Sequence, residues 1–131
     1  RDGERVKPII SMLQSYGCRV SLFMDPDERA MDLAKSVGAD RVELYTEPYA
    51  SAFIRGDRTV VESYARAASR AHQLGLGVNA GHDLNLLNLK YFLDRVPHTS
   101  EVSIGHALIA DALEMGIANA VKAYLSQCSL A

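Results

Sequence analysis

Long apolar runs are missing from this sequence: none approaches the roughly 20 residues of a membrane-spanning helix, and no secretion-signal pattern opens the chain. A membrane protein is thereby excluded as a reading. Cysteine is scarce. Cys18 and Cys128 have no metal-ligand spacing, which argues for reduced thiols in a cytoplasmic setting and against a thiolate metal site. Clustered Lys and Arg are absent and the net charge is -2, so no sequence-independent nucleic-acid surface is expected. Low-complexity segments are absent too. Arg1 rather than Met stands first, which points to a chain that begins inside a longer one.

What is present is ordinary globular composition, 48% hydrophobic and 23% charged over 131 residues, and a repeat. A chain of this size buries about two thirds of the surface that it exposes unfolded. "RVSLFMDP" (Arg19 to Pro26) and "RVELYTEP" (Arg41 to Pro48) align residue by residue, and "GVNAGH" and "EVSIGH" are weaker copies. The shared kernel is valine, polar, apolar: Val20-Ser21-Leu22, Val42-Glu43-Leu44, Val78-Asn79-Ala80 and Val102-Ser103-Ile104. Such alternation reads as strands with one apolar and one polar face.

Helical patterns separate the kernels. "VKPIISMLQSYG" places Ile9, Leu13 and Tyr16 on one side and stops at Gly17. After Asp25, read as an N-cap, a helix runs to Gly38 with Ala30, Leu33, Ala34 and Val37 on one face. "RTVVESYARAASRAHQLG" is Ala-rich and ends at Gly75. "LNLLNLKYFLDRV" follows Asp83, a natural N-cap, and stops before Pro97. The last pattern is cut in two by Gly116, and Tyr49 to Arg58 reads as the one long loop.

Helices and strands alternate strictly, which implies a parallel sheet with right-handed crossovers. In a doubly wound sheet both faces are covered and the strands are apolar on both sides. The polar set Ser21, Glu43, Asn79 and Ser103 fits instead the inward face of an α/β (β/α)8 TIM barrel. Four units make half of such a barrel, which typically has about 250 residues. Either two half-chains pair or the other half lies outside this sequence, and residues 1–131 are then one portion of a single barrel domain.

Three positions after each inward polar residue stand Met24, Thr46, His82 and His106, and two positions after stand Phe23, Tyr45, Gly81 and Gly105. The two Gly-His pairs therefore occupy equivalent places at the C-terminal ends of consecutive strands, where barrels carry their active sites. Imidazole suits proton transfer near neutral pH. Gly105 allows close backbone approach, and the helix after it offers free N–H groups to an anion such as phosphate. Glu43 is an inward carboxylate, a candidate base or a partner for Asn79, Ser103 or a ligand. Asp25 and Glu47 sit at strand ends before proline, and helix capping accounts for Asp25. Arg55 and Arg58 in the loop could meet phosphate or simply be solvated. No third ligand accompanies the two histidines, so no metal is expected. No lysine stands at a strand end, which speaks against a Schiff-base aldolase, although another phosphate-binding barrel aldolase or isomerase, or a non-catalytic oligomerising half-barrel, remains open.

"RVSLFMDPD", "RVELYTEPYA", "LGLGVNAGHDLN" and "EVSIGHALIADALEMG" occur in this order in the pyridoxine 5′-phosphate synthase family, and the chain resembles the C-terminal half of that barrel along nearly its whole length. The resemblance implies a transferase of vitamin B6 (pyridoxine) biosynthesis. It condenses 1-deoxy-D-xylulose 5-phosphate with 3-amino-2-oxopropyl phosphate to give pyridoxine 5′-phosphate, phosphate and water. It further implies a cytoplasmic homo-octamer working without metal or organic cofactor on small phosphorylated substrates. By the same resemblance His82 matches the proton donor, Asp83 a backbone contact to the aminoketone phosphate, and Gly105 and His106 the pair that also binds it. Glu43 and Asn79 are lining candidates. Tyr45 and Glu47 depart from the family's His and Gly. The remaining catalytic His and Glu and the substrate-binding arginines belong to the other half, so this chain alone is expected to be inactive.

Overall fold

The computed structural model describes residues 3–128. Its elements are α1 (Gly3–Ser15), β1 (Ser21–Met24), α2 (Glu28–Ser36), β2 (Arg41–Leu44), α3 (Glu47–Ile54), α4 (Val61–Gln73), β3 (Gly77–Gly81), α5 (Leu89–Arg95), β4 (Thr99–Ser103), α6 (His106–Met115) and α7 (Ile117–Cys128). The strands form one parallel sheet in the order β1-β2-β3-β4. Sequential parallel strands with helices between them are half of a (β/α)8 barrel, as the repeat foretells.

Register explains the alternation. Leu22 pairs with Val42 and Val42 with Val78, while Met24, Leu44, Ala80 and Val102 form the next apolar row. Val42, Leu44, Val78 and Ala80 are fully buried in the core with Met31, Tyr64, Ala68, Leu84, Leu89 and Phe92. The row between them, Phe23, Glu43, Asn79 and Glu101, lies on the other face. That face is polar: Arg41 donates to Asn79 Oδ1 from Nε at 2.9 Å and from Nη2 at 2.6 Å. Glu101 reaches Arg19 at 3.0 Å and Arg41 at 3.5 Å. The outer strands are less enclosed, with Leu22, Met24, Val102 and Ile104 only partly buried.

Four details differ from the sequence reading. The kernels of β1 and β4 are each displaced by two residues, since Leu22 and not Val20 lies beside Val42, and Val102 lies beside Ala80 and not Val78. The segment Tyr49–Arg58 is not a long loop, because α3 occupies most of it. Pro48 sits in the first turn of α3, Tyr49, Ala50 and Ala52 are buried, and the helix yields to Gly56 at φ 82°. These buried positions are crowded into four residues, so no helical period is visible. Asp27, not Asp25, caps α2, its carboxylate accepting the Arg29 N–H at 2.8 Å. Asp83 is not an N-cap, since α5 starts only at Leu89. Asparagine side chains take over the backbone groups that an earlier helix would use. Asn88 Oδ1 accepts the Asn85 N–H at 2.8 Å and Asn85 Oδ1 the Leu87 N–H at 2.9 Å. Asn88 Nδ2 donates to the Asp83 carbonyl at 3.2 Å. Cys18 and Cys128 are free and exposed, and among the described residues no helix is long and apolar enough to cross a membrane.

Candidate active site

At the C-terminal end of the sheet β3 delivers Gly81 and His82 beside β2 and β4. The His82 N–H donates to the Ser103 carbonyl at 3.1 Å, which extends the β3–β4 ladder by one residue. His82 then turns the chain with φ 63°, a left-handed conformation that few residues other than glycine take. Its Nδ1 lies 3.5 Å from Glu43 Oε1, and Phe23 approaches its ring edge-on with centroids 5.0 Å apart. Phe23 also meets Tyr45 at 5.3 Å. The side chain of Glu43 is 22% exposed and that of His82 56%, so the carboxylate sits below and the imidazole stands in the mouth.

Gly81 makes this pairing sterically possible. A Cβ on residue 81 would stand 2.7 Å from the Ser103 carbonyl oxygen and 2.8 Å from Glu43 Oε1. The missing side chain is the space in which the Glu43 carboxylate rests. Gly105 behaves differently, because a Cβ there would meet no atom within 4 Å. Packing does not require that glycine, and its absent side chain leaves backbone bare at the start of α6. No side chain caps α6, no acidic residue stands in its first turn, and it ends after ten residues at Gly116 with φ 84°. Such an N-terminus is suited to an anion. His106, the first residue of α6, places Nε2 3.7 Å from Asp83 Oδ1.

The loop that carries this constellation is held from beneath. Tyr49 on α3 donates to the Asn88 carbonyl at 2.7 Å, and Tyr64 on α4 to the Tyr45 carbonyl at 2.7 Å. Tyr49, Tyr64 and Phe92 pack edge to face within 6.0 Å of one another. Burial pushes the Tyr64 phenol up to about 12 and raises that of Tyr49 as well, so both act as neutral donors.

The structure brings His82, Asp83, Glu43, Gly105 and His106 to one end of the sheet. Asn79 is placed apart in function: its oxygen accepts both Arg41 bonds, so it belongs to the ionic row and not to the Glu43 pair. Glu47 accepts from Ser51 Oγ at 2.6 Å within α3, and Arg58 lies over the Phe53 ring at 3.5 Å. The sequence reading missed Phe23 as a wall against His82 and Asn88 as the organiser of the loop. Among the described residues no group of three or more His, Cys, Asp or Glu could hold a metal ion.

Comparison with known proteins matches this sequence to a family. A pyridoxine 5′-phosphate synthase of Albidiferax ferrireducens is 57% identical over 125 residues, covering 95% of this chain and 50% of that protein. Another so named, of Porphyromonas gingivalis, is 46% identical over 130 residues, covering 99% of this chain and 55% of its own length. A third, of Cytophaga hutchinsonii, is 50% identical over 119 residues, with 91% and 50% covered. The chain thus spans about half the length of the relatives that it matches. The family model described as pyridoxal phosphate biosynthesis protein PdxJ matches residues 1–129, and the chain, a four-stranded half-barrel, belongs to that family.

Proposed function

We propose that this chain is the C-terminal portion, residues 1–131, of one TIM-barrel domain of a pyridoxine 5′-phosphate synthase. The observation that carries the reading is the His82–Glu43 pair standing beside the bare Gly105–His106 helix start, in a chain of this family. The whole protein condenses 1-deoxy-D-xylulose 5-phosphate with 3-amino-2-oxopropyl phosphate to pyridoxine 5′-phosphate, phosphate and water. The cytoplasmic location, the homo-octamer and the lack of a cofactor are carried over with the family resemblance.

The geometry supports a division of labour. Imine formation, loss of water and ring closure all move protons at a carbonyl or hydroxyl oxygen. His82 supplies them: Glu43 beside Nδ1 orients the ring and leaves Nε2 as the nitrogen that serves the substrate. The ring needs the right height and direction, and the Phe23 edge and the bond from the His82 N–H to Ser103 set both. The phosphate of the aminoketone binds at the start of α6, held by backbone at Gly105 and Asp83 and by the His106 imidazole. Groups from the other half of the barrel complete the site.

Kinetics of the full-length protein test this. His82→Asn lowers kcat by about 10²–10⁴-fold with little change in KM, because it removes a proton donor and little contact. His106→Ala raises the KM for the aminoketone phosphate by about tenfold or more, the loss of a charged hydrogen bond. Identical kinetic signatures for the two variants would overturn the assignment.

A further inference from the structure

The left-handed turn at His82 has a second effect, on Asp83. It sends two consecutive side chains to different neighbours: His82 to Glu43 on β2 at 3.5 Å, and Asp83 to His106 on α6 at 3.7 Å. Acid, base, acid and base thus alternate across three consecutive strand ends. The Asp83 backbone is tied down by the buried Asn88, whose amide holds its carbonyl, so its carboxylate is the part left to respond to a ligand. The other carboxylates nearby are engaged elsewhere. Glu43 faces His82, and Asp111 on α6 accepts the Tyr124 hydroxyl at 2.7 Å. The first turn of α6 contains no acid.

We propose that the Asp83 carboxylate is a built-in competitor of phosphate for His106. Its Oδ1, 3.7 Å from Nε2, is the anionic group next to the imidazole N–H that a phosphate oxygen would take. An arriving dianion must displace it from beside the ring, so the two anions compete for the one imidazole. The carboxylate therefore weakens phosphate binding and speeds its release, while the backbone of the same residue favours binding. This inference rests on the phosphate role proposed for Gly105 and His106.

The test measures inorganic phosphate binding to the full-length protein by calorimetry at neutral pH, in a double-mutant cycle of D83N and H106Q. D83N is expected to tighten binding about two- to fivefold, the scale of an exposed ion pair. In the H106Q background, which keeps a hydrogen-bond donor, the gain from D83N should disappear, an outcome that a merely structural role for Asp83 would not produce. D83S removes the same charge and should shift binding in the same direction if D83N folds poorly. Unchanged or weaker binding by D83N in a wild-type protein that binds phosphate overturns the competition and leaves the phosphate role standing. A gain that persists in H106Q overturns it as well, because the carboxylate would then repel the anion without engaging His106. Absence of phosphate binding by the wild-type protein overturns the phosphate role itself, and the competition with it.

Discussion

Position 81 carries no side chain, yet it decides where Glu43 rests. The Gly81→Ala methyl would collide with a backbone oxygen that cannot yield cheaply and with the very carboxylate that meets His82. The variant is expected to lose about 10²-fold in kcat in the full-length protein, as misplacement of a catalytic group by about 1 Å does. Turnover within twofold of wild type would show that Glu43 needs no such berth. At this scale the sequence was informative about position and silent about partners. Counting along the four kernels placed His82 and His106 at equivalent strand ends; the sheet instead pairs Gly81 with Ser103, so His106 comes two residues further on, in α6. Such counting could not reveal that Glu43 faces His82 while Asn79 faces Arg41, because both pairs arise from side chains crossing between strands. Spacing along one strand does not encode that choice.

Among the elements, strands were the most legible and short helices the least. Alternation marks a strand within four residues, whereas α3 has eight and shows no amphipathic period. The late start of α5 was hidden for a different reason: Asn85 and Asn88 divert backbone hydrogen bonds, and an apolar pattern does not record such competition. A comparable side-chain clamp joins the elements at the opposite end of the sheet. Asp40 accepts from the Val20 N–H at 2.7 Å and from Gln14 of α1 at 3.0 Å. Those two bonds, the backbone one foremost, hold its carboxyl below the usual value of 3.8. A depressed carboxylate stabilises the fold above its unfolded value and loses that contribution as the pH falls through the folded one. Wild type should therefore be more stable than Asp40→Asn at pH 7, and the difference should shrink as the pH drops below about 4. Urea melts of both proteins across that range measure it, and a pH-independent gap would refute the clamp.

For the whole molecule the decisive fact is that it spans about half the length of its relatives. On the polar face Arg19 and Glu101 lie open, and Phe23 is 52% exposed. Apolar side chains are exposed along α1 at Ile9 and Met12 and along α6 and α7 at Ile109, Leu113 and Leu125. The chain spans about half of its relatives' length, and the proposed function assigns further catalytic groups to the other half. Purified chain of this length is expected to show no synthase turnover, while a full-length version does. Measurable turnover by the isolated chain would refute the assignment of the remaining catalytic groups to the other half.

The strand order has one more consequence, and it concerns symmetry. β1 and β4 end the sheet on opposite sides, so the molecule has two unlike edges. Copies that join edge to edge in parallel must do so head to tail, the β4 side of one against the β1 side of the next. Repetition of that contact has two outcomes. Two copies can close upon themselves, with four strands each giving the eight of a barrel. If the rotation per contact fails to close, the same contact propagates as an open filament. Curvature of a four-stranded sheet, and no particular residue at its edges, separates a ring from a fibre.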